Sequence, residues 1–210
     1  AHQVHDKAIA MRREAGDVWG EAQGLQLKGY GFTWSGRNEE SLSLFRQALQ
    51  IYEKIGDEWE QGVCWNGLTN GYLRLCAYAG ARQAAMRYLE ISEKTGDAYG
   101  ICTALANLCL ISHQQGRLKE AEGYGNRALA LARDKQLHLA NCFSAIHLAC
   151  ALMHAGRASE AVPLLEEAQQ LVSIHPFIKE FSCHVYTHLA EARLLETTNN
   201  YPLPDAPEGS

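Results

Sequence analysis

The sequence predicts an all-α solenoid of antiparallel helix pairs. Three observations carry that reading: an internal period of 40 residues, glycine turns placed on that period, and helical spacing of the apolar residues between them. No segment sustains the alternation of a strand.

The turns come first. Gly16-Asp17, Gly56-Asp57 and Gly96-Asp97 recur at intervals of 40, and each is followed by an aromatic residue, Trp19, Trp59 or Tyr99. Leu139 continues that column. Gly36-Arg37, Gly116-Arg117 and Gly156-Arg157 form a second series, and Ser41, Ala81, Ala121 and Ala161 a third. A glycine past a helical run supplies the left-handed residue that ends a helix. The aspartate after it is a good N-cap, and Asp57 with Glu60 has capping-box spacing. Gly-Asp therefore marks the turn between pairs and Gly-Arg the tighter turn inside each pair.

The helices follow in chain order. Residues 1–15 read as the second helix of an earlier pair, and four full pairs follow near 22–61, 62–101, 102–141 and 142–179. Leu42, Phe45, Leu49 and Tyr52 share one helical face, as do Leu105, Leu108 and Ile111. Ala8, Ala48, Ala128 and Ala168 let neighbouring helices approach closely. A closing helix is expected at about 180–196. Residues 197–210 hold three of the five prolines and read as a disordered tail or linker. The half-pairs at each end, and a start at Ala1 rather than Met, fit a piece of a longer array.

The second pair departs from the pattern. Cys76 stands where the turn glycine belongs, Gly80 comes four residues later, and Tyr88 occupies the small column. A first helix one turn longer, with a second one turn shorter, is the expectation; a local kink is the alternative.

These residues resemble the tetratricopeptide family, in a variant longer than the usual repeat of about 34 residues. Ser41, Phe45 and Ala48 match its small–aromatic–small signature, and Gly29 matches the glycine of its first helix. The resemblance covers about residues 1–196 and implies a right-handed superhelical solenoid. It also implies a concave groove lined by the first helix of each pair, and an interaction role rather than catalysis.

Composition excludes other classes. The formal net charge is -5, with lysine and arginine scattered rather than striped, which argues against nucleic acid. No run approaches the roughly 18 apolar residues of a membrane span. Seven cysteines without a CxxC pair read as small hydrophobes in a reduced, cytoplasmic protein.

Carried over column by column, the groove positions of the resemblance fall on Gln26, Tyr30, Thr33 and Trp34, then on Asn66, Asn70, Leu73 and Arg74. In the third and fourth pairs they fall on Asn107, Leu110, His113 and Gln114, and on Ile146, His147, Cys150 and His154. Asn66, Asn70 and Arg74 lie at i, i+4 and i+8 and so share a face. Asparagine donates and accepts at once, which suits an extended peptide backbone. Phe143 and His147 stand where a chaperone-tail reader of the family would carry lysines. His184 with His188, and His147 with His154, are spaced for one helix face, but no third metal ligand is evident. No cofactor motif and no nucleophile or phosphate-loop motif occurs.

The expectation is a non-catalytic module that binds a peptide or helix of a protein partner, within a larger signalling protein. The alternative from the same resemblance is a small-molecule-sensing or autoinhibitory domain of a signal-transduction ATPase, transcription regulator or cyclase or kinase fusion. A third is self-association, in which apolar surface at an open solenoid end joins copies in a homodimer.

Overall fold

A computed structural model describes residues 2–175 and 182–199. Among them are ten α-helices and no strand: α1 (His2–Glu14), α2 (Val18–Trp34), α3 (Asn38–Ile55), α4 (Glu58–Arg74), α5 (Tyr78–Thr95), α6 (Ala98–Gln114), α7 (Leu118–Asp134), α8 (His138–His154), α9 (Ala158–Ile174) and α10 (Ser182–Asn199). Each helix packs on the next. In addition α2 touches α4, α4 touches α6, α6 touches α8 and α8 touches α10, whereas α3, α5, α7 and α9 have no comparable mutual contacts. The first helices of successive pairs are thus the closer row. A stack whose one row is closer curves toward that row, which places α2, α4, α6, α8 and α10 on the concave side.

The turns explain why the chain reverses on schedule. Gly16, Gly36, Gly56, Gly96, Gly116 and Gly156 all have φ between 70° and 79°. At the Gly56 turn the Asp57 N–H donates to the Tyr52 carbonyl at 3.0 Å, the long closing bond of a helix C-terminus. Asp17 and Asp57 cap the following helices, accepting from Gly20 N at 2.8 Å and Glu60 N at 3.1 Å. Asp97 makes no capping bond, although it occupies the same column.

The second pair corrects the expected lengthening of its first helix. α4 ends at Arg74, and Cys76 itself takes the left-handed turn position with φ 53°. Gln136 does the same forty residues after Gly96, with φ 54°. The closing bonds, Ala77 N to Tyr72 O at 2.9 Å and Leu137 N to Ala132 O at 2.8 Å, are kept. A good closing bond and packed flanking helices outweigh the ~1–2 kcal/mol that a Cβ costs there.

Tyr88 has its own reason. In the first pair Ala48 and Tyr52 are both fully buried on one face of α3. Forty residues on, α5 carries Tyr88 and Ser92. Both are buried, so the bulk has moved one turn earlier rather than the helix re-registering.

Phe45 anchors the first interface. It is fully buried between α2 and α4, and a Cβ on Gly67 would lie 2.4 Å from its ring. Only glycine permits that approach. Leu105, Leu108 and Ile111 fill the middle of the stack, and Leu148, Leu165 and Val185 its far end. No described helix is long and apolar enough to cross a membrane. Of the tail expected at 197–210, residues 197–199 close α10, and 200–210 lie outside the described residues, as do 180 and 181 of the expected closing helix.

Candidate binding groove

The concave side carries polar residues that helical spacing alone brings to one face. Asn66 and Asn70 of α4 are half-buried and Arg74 is exposed. Asn66, Asn70, Asn107, Leu110 and His147 line a trough of about 310 Å³ between α4, α6 and α8. A neighbouring hollow of about 450 Å³, between Asn70, Arg74, Tyr78 and Gln114, shares Asn70, Leu73 and Leu110 with it. At the rim the Arg74 guanidinium stands 5.9 Å from the ring centre of Trp34, which is 80% exposed. That distance suits a cation–π contact.

Several polar side chains on this side tie one first helix to the next. Asn107 Nδ2 donates to Asn66 Oδ1 at 3.2 Å, joining α6 to α4. Gln26 Nε2 donates to Glu60 Oε2 at 2.9 Å, and the Tyr30 hydroxyl to the Val63 carbonyl at 3.4 Å, joining α2 to α4. His147 Nδ1 lies 3.1 Å from the Ala106 carbonyl. A carbonyl only accepts, so that nitrogen carries the proton. Burial holds the His147 imidazole neutral, its pKa lowered to about 4.

Toward α10 the groove changes chemistry. A cavity of about 630 Å³ opens between α6, α8 and α10, with Leu110, Ile146, Met153 and Leu195 as apolar lining. His113, His147, His154, His184 and His188 belong to the same lining, together with Cys150 and Glu191. The His113 and His154 rings lie 4.5 Å apart, with Nε2 of the first 2.7 Å from Nδ1 of the second. That Nδ1 also lies 3.2 Å from the Cys150 carbonyl, which can only accept. His154 therefore holds its proton on Nδ1, and His113 Nε2 accepts. Burial, and then the neighbouring His154, lower the His113 pKa. His188 lies 3.8 Å from Cys150 Sγ and 3.3 Å from Glu191 Oε2. Among the described residues no three His, Cys, Asp or Glu come together as a metal would require.

No family profile matches the chain. Solved structures do resemble it. BtubC (BKLC) from P. vanneervenii superposes with a TM-score of 0.71 at 15% identity, over 100% of this chain and 94% of that one. A putative kinesin light chain of Podosopora anserina, with nearly identical tetratricopeptide-like repeats, gives 0.66 at 19% identity, over 85% and 87%. A Pyrococcus horikoshii signal transduction ATPase with numerous domains, carrying a tetratricopeptide repeat sensor, gives 0.71 at 18%, over 90% of this chain and 30% of that one.

The fold is that of the tetratricopeptide-like repeat proteins.

On this tetratricopeptide-like solenoid the groove positions read from the sequence separate by use. Gln26, Asn107 and His147 are engaged in ties between first helices, and Tyr30 packs edge-on to Phe45 at 4.9 Å between ring centres. Thr33 is buried and bonded to Ser41 at 2.6 Å, away from the trough. Asn70, Arg74, Gln114 and Trp34 keep surface toward solvent. His113 and His154 engage each other. The contribution of α10 was harder to foresee: His188 and Glu191 complete the cavity because the closing helix stacks as another first helix.

Proposed function

We propose that the chain is a non-catalytic interaction module whose concave groove receives a peptide or helix from a protein partner. One observation carries this reading. Asn66 and Asn70 sit one helical turn apart in a trough continuous with apolar Leu73 and Leu110, so polar backbone and apolar side chains of a guest meet matching surface. Each hydrogen bond nets only about 0.5–1.5 kcal/mol, so affinity would come from several contacts along the trough. The partner is a separate protein or another part of the same parent chain.

Photocrosslinking tests the face used. A crosslinker at position 70 captures the partner, and one at Lys119 on the second-helix row does not. Equal capture from both positions would remove the groove from the account.

A second reading is favoured by the histidine-lined cavity, whose size suits a small organic ligand. In it the solenoid senses a metabolite; the repeats of the Pyrococcus horikoshii protein are described as a sensor. A ligand that stabilises the chain at millimolar concentration, and loses that effect on His188→Ala, would support it. Stabilisation unchanged in that variant would exclude this cavity.

A further inference from the structure

The exchange of bulk between Ala48/Tyr52 and Tyr88/Ser92 leaves a space. In the first pair Tyr52 is fully buried on α3, and the Trp19 indole N–H donates to Asp57 Oδ2 at 3.0 Å. Asp57 thereby both caps α4 and holds the indole of the preceding pair. Forty residues on, the small Ser92 stands in the place of Tyr52, and Gly62 in the place of Ala22. The result is a cavity of about 170 Å³ between α4, α5 and α6, walled by Trp59, Tyr88 and Tyr99, with Ile91 and Asp97. Tyr88 lies close enough that a Cβ on Gly62 would touch its ring at 3.5 Å.

Asp97 is the second part of the observation. Its carboxylate caps nothing, and among the described residues it is not bonded to Trp59 as Asp57 is to Trp19. No basic residue lines the cavity. Asp97 shares the cavity lining with Tyr88 and Tyr99; burial raises the pKa of both phenols, and the Asp97 charge opposes their ionisation further. A full negative charge there also outweighs the partial positive charge of the α6 N-terminus, about half an elementary charge.

Three aromatic side chains around one uncommitted carboxylate form a recognition chemistry for a cation with an apolar surface. We propose that this cavity is a binding site for an alkylammonium group, with Trp59, Tyr88 and Tyr99 as aromatic walls and Asp97 as counter-charge. A neutral group of the same shape gains the apolar contacts and loses the ring and carboxylate attraction. Asn66 lines both this cavity and the groove trough, so the group arrives either as a small free cation or as the amine of a groove-bound side chain. The site does not depend on the groove's being a peptide receptor.

The test is a tryptophan-fluorescence titration of the folded chain with choline and with its uncharged isostere 3,3-dimethyl-1-butanol. A Trp59→Phe variant identifies the responding ring. Choline is expected to bind at least about tenfold more tightly than the alcohol. Asp97→Asn, which removes charge and not shape, is expected to abolish that preference while circular dichroism stays unchanged. Lys119→Ala, on the second-helix row and outside both the cavity and the trough, is expected to leave the choline titration as it was. A short lysine-bearing peptide that binds more tightly than choline assigns the site to a partner's side chain, and weaker peptide binding assigns it to a free cation. Equal binding of choline and the alcohol, or a charge preference that survives Asp97→Asn, would overturn the proposal.

Discussion

The Asn107 carboxamide donates to Asn66 Oδ1 at 3.2 Å, linking helices two elements apart on the concave side of the stack. Asn107 is buried at 8% exposure, whereas Asn70, one turn from Asn66, stays half-buried at the trough. The two asparagines therefore do different work. Asn107→Ala is expected to destabilise the fold by about 0.5–1.5 kcal/mol, through the lost bond and the orphaned Asn66. Asn70→Ala is expected to fall within about 0.5 kcal/mol of the parent. Urea unfolding separates them, and equal losses would contradict the division.

Glycine substitutions probe the packing directly. Gly67→Ala puts a Cβ 2.4 Å from the buried Phe45 ring and is expected to cost about 1–3 kcal/mol. Gly123→Ala, in α7 with nothing within 4 Å, is expected to stabilise by about 0.5–1 kcal/mol, since alanine holds a helix better than glycine. Thermal melts of both variants check the pair of signs.

The non-glycine turns offer the reverse change. Cys76 and Gln136 sit at φ 53° and 54°. Glycine removes the ~1–2 kcal/mol of left-handed strain and adds about 0.4–1 kcal/mol of unfolded-state freedom. Cys76→Gly is expected to stabilise by roughly 0.5 kcal/mol, with Gly36→Ala destabilising at the equivalent turn. Denaturation midpoints that move the other way would show that the closing bonds hold these turns without strain.

Acid should weaken the stack. Burial lowers the His147 pKa from 6.5 to about 4, so below pH 6.5 the unfolded chain takes up that proton and the folded chain does not. Stability is therefore expected to fall as pH drops from 6.5 toward 4, by on the order of 1 kcal/mol per unit at the steepest. His147→Gln is expected to flatten this slope without abolishing it, because His113 is lowered too. Unfolding midpoints at pH 7 and pH 5 measure the change.

Much of the fold is legible in the residues because each turn repeats one chemistry. Gly16, Gly36, Gly56, Gly96, Gly116 and Gly156 all supply the left-handed residue that their spacing implies. Cys76 breaks that column, and its spacing to Gly80 predicts a longer α4. The backbone instead keeps its turn and accepts a strained residue. Tyr88 misled in the same way, since the small and large positions of α5 exchanged while the helix register held. The column comparison of Ala48 and Tyr52 with Tyr88 and Ser92 was the available signal.

The groove is less legible. Helical spacing places Asn66, Asn70 and Arg74 on one face, but it does not tell which side chains are consumed by neighbouring helices. Gln26 bonds to Glu60 and Asn107 to Asn66 across 34 and 41 residues, contacts set by how the pairs stack. The histidine cavity needs α10 as well, whose His188 reaches Cys150 only once the closing helix is in place.

The most direct measurement is a paired capture from source-cell lysate, using the wild-type chain and an Asn70→Ala, Arg74→Ala double variant of equal helicity by circular dichroism. Asn70 lines the trough and Arg74 the hollow beside it, and Arg74 meets another helix only at the exposed Trp34 ring, so the variant tests binding largely apart from folding. The account predicts a protein retained by the wild type and released by the variant, with its segment crosslinking to position 70. A protein retained equally by both would contradict the groove as the site of interaction.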